Sequence, residues 1–86
     1  MKRRYLVMGD PNVTDITPKP FAQKGLAFAY ARRLLNKLPD GVRVEEQIGH
    51  IERPGATFDA PSGLWWRGTI AWTFLPGGDM SREALA

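Results

Sequence analysis

His50 is the single histidine of an 86-residue chain that contains no cysteine. The missing thiols exclude disulfides, thiolate metal sites and thiol catalysis. A nucleophilic triad would have to join His50 to Ser62 or Ser81. Ser62 stands in Pro61-Ser62-Gly63, which reads as a turn, and neither serine has nucleophile-elbow surroundings. His50 near Glu52 could serve as a base, but a lone histidine at a strand end is more commonly a polar surface residue. Asp10, Asn12 and Thr14 have the alternate spacing of a calcium loop. Asp15 and Phe21 occupy the places where such a loop needs its glycine and its closing glutamate. One histidine without a thiol cannot build a zinc site within one chain. Gly77-Gly78 has no lysine after it, so no phosphate cradle is present. The expectation is a protein without catalytic residues, bound metal or cofactor, and not an enzyme.

What remains is surface chemistry. Trp65 and Trp66 are adjacent, so in a strand their rings go to opposite faces. Trp66 belongs with Ile70, Trp72 and Phe74 toward the helix, so Trp65 stands on the open face, two residues from Arg67. Trp and Arg are the types most enriched at interface hot spots, and an aromatic ring beside a guanidinium also suits base stacking. The architectural alternatives are that Trp65 packs under the 52–63 loop, packs on the C-terminal tail, or stacks on Arg67 as a cation–π pair. The partner-binding candidates are Trp65, Arg67, Arg43, Arg53 and Phe58.

Charge marks a second surface. The net charge is +3. Residues 1–41 carry eight Lys/Arg against three acids, net +5, and residues 42–86 carry four against six, net −2. Arg32, Arg33 and Lys37 lie within about 140° on a helical wheel. With Arg3 and Arg4 they are the nucleic-acid-binding candidates, through phosphate contacts. The same helix cations also complement the helix dipole without any partner.

Elements must position these groups. With 43% hydrophobic and 24% charged residues, the chain has the composition of a folded globular domain rather than a disordered one. Its length allows one domain over residues 1–78, with a short tail or helical turn over 79–86. No apolar run approaches the roughly 18 residues of a membrane span. Met1–Arg4 is followed by too short an apolar stretch for a signal-peptide core, and a cytoplasmic location is expected.

Arg3–Met8 reads as a strand, and Gly9-Asp10-Pro11-Asn12 as a turn. Thr17 reads as the N-cap of a helix running to Lys37 or Leu38, stopped by Pro39-Asp40-Gly41. Phe21, Ala27, Phe28, Tyr30, Ala31, Leu34, Leu35 and Leu38 share one half of its wheel. Val42–Ile51 alternates as a second strand in which Glu46 falls among the apolar positions, so a bulge or frayed edge is expected there. Glu52–Gly63 reads as a long loop suited to binding. Leu64–Leu75 is the strongest strand, followed by Pro76-Gly77-Gly78.

The fold class is therefore α+β, in the order β-α-β-β. One helix packs on one face of a three-stranded, mostly antiparallel sheet and leaves the other face open. That order is similar to half of a ferredoxin-like domain, a likeness of fold that carries no function. Arg67-Gly68-Thr69-Ile70 lacks the aromatics of an RNA-recognition strand motif. The function expected is a small non-enzymatic binding protein acting by protein–protein contact. Small cofactor-free chains of this kind are frequent among phage and mobile-element inhibitors of host nucleic-acid-handling machines. The alternative is a basic nucleic-acid-binding module using the outer face of the helix. A homodimer could form through the open sheet face or an edge strand.

Overall fold

Pro18-Lys19-Pro20 disfavours a helix, because a residue before proline is pushed toward extended backbone. A computed structural model, which describes residues 2–9, 18–38 and 41–85, has a strand there. In chain order the elements are β1 (Lys2–Gly9), β2 (Lys19–Phe21), α1 (Lys24–Leu34), β3 (Val42–His50), β4 (Thr57–Asp59), β5 (Leu64–Phe74) and β6 (Met80–Ala84). The expected Thr17 cap, the 9–12 turn, the calcium-like spacing and Pro39-Asp40 fall wholly or partly outside the described residues. The helix begins at Lys24, with Gln23 as a cap that makes no side-chain bond. Its first expected turn is instead β2, an edge strand where a proline needs no donor.

All pairing is antiparallel, in the order β2-β1-β3-β5-β4, and β6 also joins β5. The three strands expected from sequence form the central ladder, but the sheet has six strands, not three. β4 lies inside the stretch read as a loop. It pairs with Leu64–Trp66, while β6 pairs with Ile70–Phe74. In place of the expected tail or helical turn, β6 follows a turn in which Gly77 and Gly78 both have φ of 91°. Leu75 N donates to Asp79 O across that turn at 2.9 Å, which sends the chain back along β5. Among the described residues, no helix is long and apolar enough to cross a membrane.

The helix supplies the main core. Tyr5, Val7, Ala27, Ala31, Val42, Val44, Trp72 and Phe74 are buried together, with Phe21, Phe28, Tyr30, Leu34, Leu35, Leu38 and Ile70 packed around them. Ala27 and Ala31 let the helix approach the sheet closely. Phe28 meets Trp72 and Phe74 edge-on, at centroid distances of 5.1 and 5.0 Å, a favourable geometry for aromatic pairs. The apolar half of the wheel is thus the packing face that its periodicity predicts.

Trp66 is not part of that core, which corrects the strict alternation expected along β5. Glu46 pairs with Ile70, but Gln47 pairs with Gly68, so Thr69 has no opposite residue. The bulge falls at Glu46, as its place among the apolar positions suggests, and its extra residue is on β5. Above it, Phe74, Trp72 and Ile70 face the helix. Below it, Arg67 and Trp65 take the helix side and Trp66 the reverse. The two indoles do lie on opposite faces, but exchanged. Deleting Thr69 should preserve this arrangement, because Ile70 and Gly68 then follow one another in their present pairings. The expected loss is about 1–2 kcal/mol, from the Thr69 hydroxyl bond to the Glu46 carboxylate at 2.9 Å and the Leu85 N–H bond to Thr69 O at 3.0 Å. A urea denaturation curve measures it, and a collapse of the folded spectrum would refute the register.

Candidate functional site

The reverse face, expected to lie open, is occupied by its own polar chain. Arg4 Nε donates to Gln47 Oε1 at 2.7 Å, and Gln47 Nε2 donates to Glu45 Oε1 at 3.0 Å. Glu45 lies 3.6 Å from Arg43, which reaches Glu83 at 3.2 Å. At the other end Arg4 meets Asp59 at 3.5 Å, and its guanidinium lies 4.0 Å from the centroid of Trp66. A flat sheet would hold β1 and β4 about 14 Å apart, three strand spacings. The Arg4–Asp59 contact therefore requires strong coiling. Trp66 Nε1 donates to Ser62 Oγ at 3.0 Å, so that hydroxyl serves the turn. Ser62 hydrogen bonds first, and Arg4 after them, hold the Asp59 carboxyl below its usual range. Gly68 belongs to the same face: a Cβ there would collide with the Glu45 carboxylate and Leu85.

The helix side has the opposite character. Helix α1 covers only the half of that face above the bulge. Below it, Phe58, Trp65 and His50 form one cross-strand row, and Arg67, Ile48 and Arg3 form the next. Phe58 and Trp65 pack with ring centroids 5.2 Å apart. Two strand spacings place the Arg3 and Arg67 backbones about 10 Å apart, with the buried Ile48 between them. Among the described residues, Arg3, Arg53 and Arg67 have no carboxylate within salt-bridge distance, and every ion pair involves Arg4 or Arg43. Arg67 Nε and His50 Nε2 are buried without a hydrogen-bond partner. Unpartnered buried donors and acceptors are rare and costly.

The His50 imidazole is held below its ordinary pKa, first by desolvation and then by the charges of Arg53 and Arg67. Unfolded, it titrates near 6.5. Below that pH the unfolded chain binds a proton that the folded chain still refuses, so acidification removes stability until the folded imidazole also protonates. Lowering the pH from 7.5 to 5.5 is expected to lower the melting temperature of the parent chain more than that of His50→Gln. Parallel melting curves across that range would refute the desolvated, cation-flanked position.

Four partner-binding candidates, Trp65, Arg67, Phe58 and Arg53, therefore converge on this shelf, together with Arg3 from the nucleic-acid set. Arg43 and Arg4 do not, because both belong to the polar chain on the reverse face. Arg32, Arg33 and Lys37 are exposed at the C-terminal end of the helix. Arg32 lies 5.6 Å from the Phe74 ring and Arg33 5.9 Å from the Tyr30 ring. Reading His50 as a surface residue misses its place in the aromatic row. The usable signal was its spacing, two residues beyond Ile48 on the same face. Among the described residues, no three His, Asp or Glu side chains come together as a metal would need. No protein-family profile, curated protein or solved structure matches this chain.

Proposed function

We propose that this chain is a non-enzymatic binding protein that captures an acidic protein surface on the Phe58–Trp65–His50 and Arg3–Arg67 shelf. The observation that supports this reading is the pair of unpartnered nitrogens, on Arg67 and His50, within the half-face that the helix leaves bare. A carboxylate arriving beside them would accept from the terminal N–H groups of the Arg67 guanidinium, and charged hydrogen bonds of this kind are about twice as strong as neutral ones. Trp65 and Phe58 supply rigid apolar area beside it. Acidic catalytic clusters of nucleic-acid-handling enzymes are targets of this chemistry, and blocking one would make the chain an inhibitor of the phage type.

The test is the Trp65→Ala/Arg67→Ala double variant. Immobilised parent chain is expected to retain an acidic protein from a host extract, identified by mass spectrometry. The double variant, with an unchanged folded spectrum, should bind it at least about 30-fold more weakly, as loss of hot-spot residues implies. Equal retention by both chains would reject the shelf.

The exposed Lys24, Arg32, Arg33 and Lys37, none in an ion pair among the described residues, favour a second reading, phosphate binding by the helix. A gel shift with single- and double-stranded probes decides it, because phosphate contacts weaken steeply with added salt.

A further inference from the structure

β2 is too short to cover β1. Its three residues pair Tyr5 with Phe21, Leu6 with Pro20 and Val7 with Lys19. Pro20 has no N–H, so Leu6–Pro20 is a non-hydrogen-bonded pair and the odd-numbered residues of β1 make the bonds toward β2. Arg3 shares that parity. Its N–H and C=O point to the same outer edge, beyond the end of β2, where no described strand meets them. On the inner side, Lys2–Arg4 are paired with Gln47–Gly49, so this free edge is already held extended.

The edge is also the floor of a depression. Lys2, Arg3, Arg4, Phe21, Ser62 and Trp66 line it. Its far wall is the β4–β5 turn, brought round by the coiling that joins Arg4 to Asp59. The depression is in effect the seam of a barrel that lacks one strand. Three cations border it, and the one carboxylate beside them, Asp59, is already engaged by Ser62 and Arg4.

We propose that this seam is a strand-addition site for an extended, acidic segment of a protein partner. The segment's backbone pairs with the N–H and C=O of Arg3. Its alternate side chains place a carboxylate toward Lys2 on one face and another toward Arg3 on the other, the division of affinity and specificity usual in β-augmentation. A second copy of this chain is a poorer occupant, because its own exposed strand β6 carries Arg82 beside Glu83 and offers no excess of negative charge. The site shares Arg3 with the shelf but uses neither Trp65 nor Arg67, so the Trp65→Ala/Arg67→Ala variant, which tests the shelf, leaves this site intact.

The probe is a blocked hexapeptide of alternating Glu and Val, titrated into the ¹⁵N-labelled full chain. Shifts centred on Lys2–Arg4 and at least tenfold slower exchange of the Arg3 amide are expected. The same peptide N-methylated at alternate amides should bind at least tenfold more weakly, and a Lys-for-Glu version should not bind. Arg3→Pro removes the outward N–H without touching the β3 ladder and should lose the peptide, whereas Arg3→Gln should weaken it less. Equal binding of the methylated peptide, or shifts centred elsewhere, would overturn the proposal. Concentration-dependent protection of Arg3 without peptide would assign the edge to a second copy. The same shifts with oligothymidylate, abolished by salt, would assign it to nucleic acid. Either result would overturn the proposal as well.

Discussion

Trp72→Ala is expected to cost about 3–5 kcal/mol, most of the stability of a chain this small. Trp72 is buried against Tyr5 and Phe28, at centroid distances of 6.4 and 5.1 Å, and no neighbour can fill the space it would leave without moving the helix. The informative measurement is a double-mutant cycle of Trp66→Leu with Trp72→Leu, read from urea midpoints. Trp66 lies on the other side of the sheet, in contact with Arg4. Separate packing predicts that the two effects add within about 0.5 kcal/mol. A coupling above about 1 kcal/mol would mean that both indoles share one core, and the bulge at Thr69 would have to be abandoned.

Arg4→Met is expected to cost about 2–3 kcal/mol, although it replaces a charge with an apolar chain of similar length. The buried Gln47 would lose its donor, Asp59 its cation, and the Trp66 ring the guanidinium stacked on it. Burial itself disfavours the Arg4 charge, pulling its pKa down against the fields of Asp59 and Glu45. The cost therefore comes from the partners left behind rather than from a strong ion pair. Arg4→Lys should recover little, because an ammonium cannot both lie flat on the indole and present the in-plane Nε donor. Recovery of more than half the loss by lysine, measured by thermal unfolding, would show that only charge matters there.

The proposed shelf depends on this reverse-face chain. By engaging Arg4 and Arg43 with Asp59, Glu45 and Glu83, the coiled sheet leaves Arg3, Arg53 and Arg67 on the other side without a carboxylate partner among the described residues. Two arginines selected from sequence as binding candidates, Arg4 and Arg43, are engaged by the protein's own side chains, and the histidine set aside as ordinary surface lies in the row with Trp65 and Phe58.

Much of this was legible in the residues. The 3.6-residue period through Ala27, Phe28, Ala31 and Leu34 named the packing face of the helix, because burial on one side of a regular element repeats with its geometry. β-Branched and aromatic content named the first central strand, and two-residue alternation named the other two. Glu46, a carboxylate among apolar positions, marked the bulge. The absence of thiols and the single histidine bounded the chemistry before any fold was known.

Only the tertiary structure decided the rest. β2, β4 and β6 are three to five residues long and carry no apolar period, since each is held by backbone bonding to the strand beside it, β4 and β6 in hairpins with β5 and β2 against β1. Which strand of the bulge holds the extra residue depends on a match between β3 and β5, more than twenty residues apart, and that choice exchanged the faces of Trp65 and Trp66. The coiling that brings Arg4 to Asp59 is a property of the whole twisted sheet. Periodicity reports what a single element buries. The partners and the faces follow from pairing between strands, which the pattern within one element does not encode.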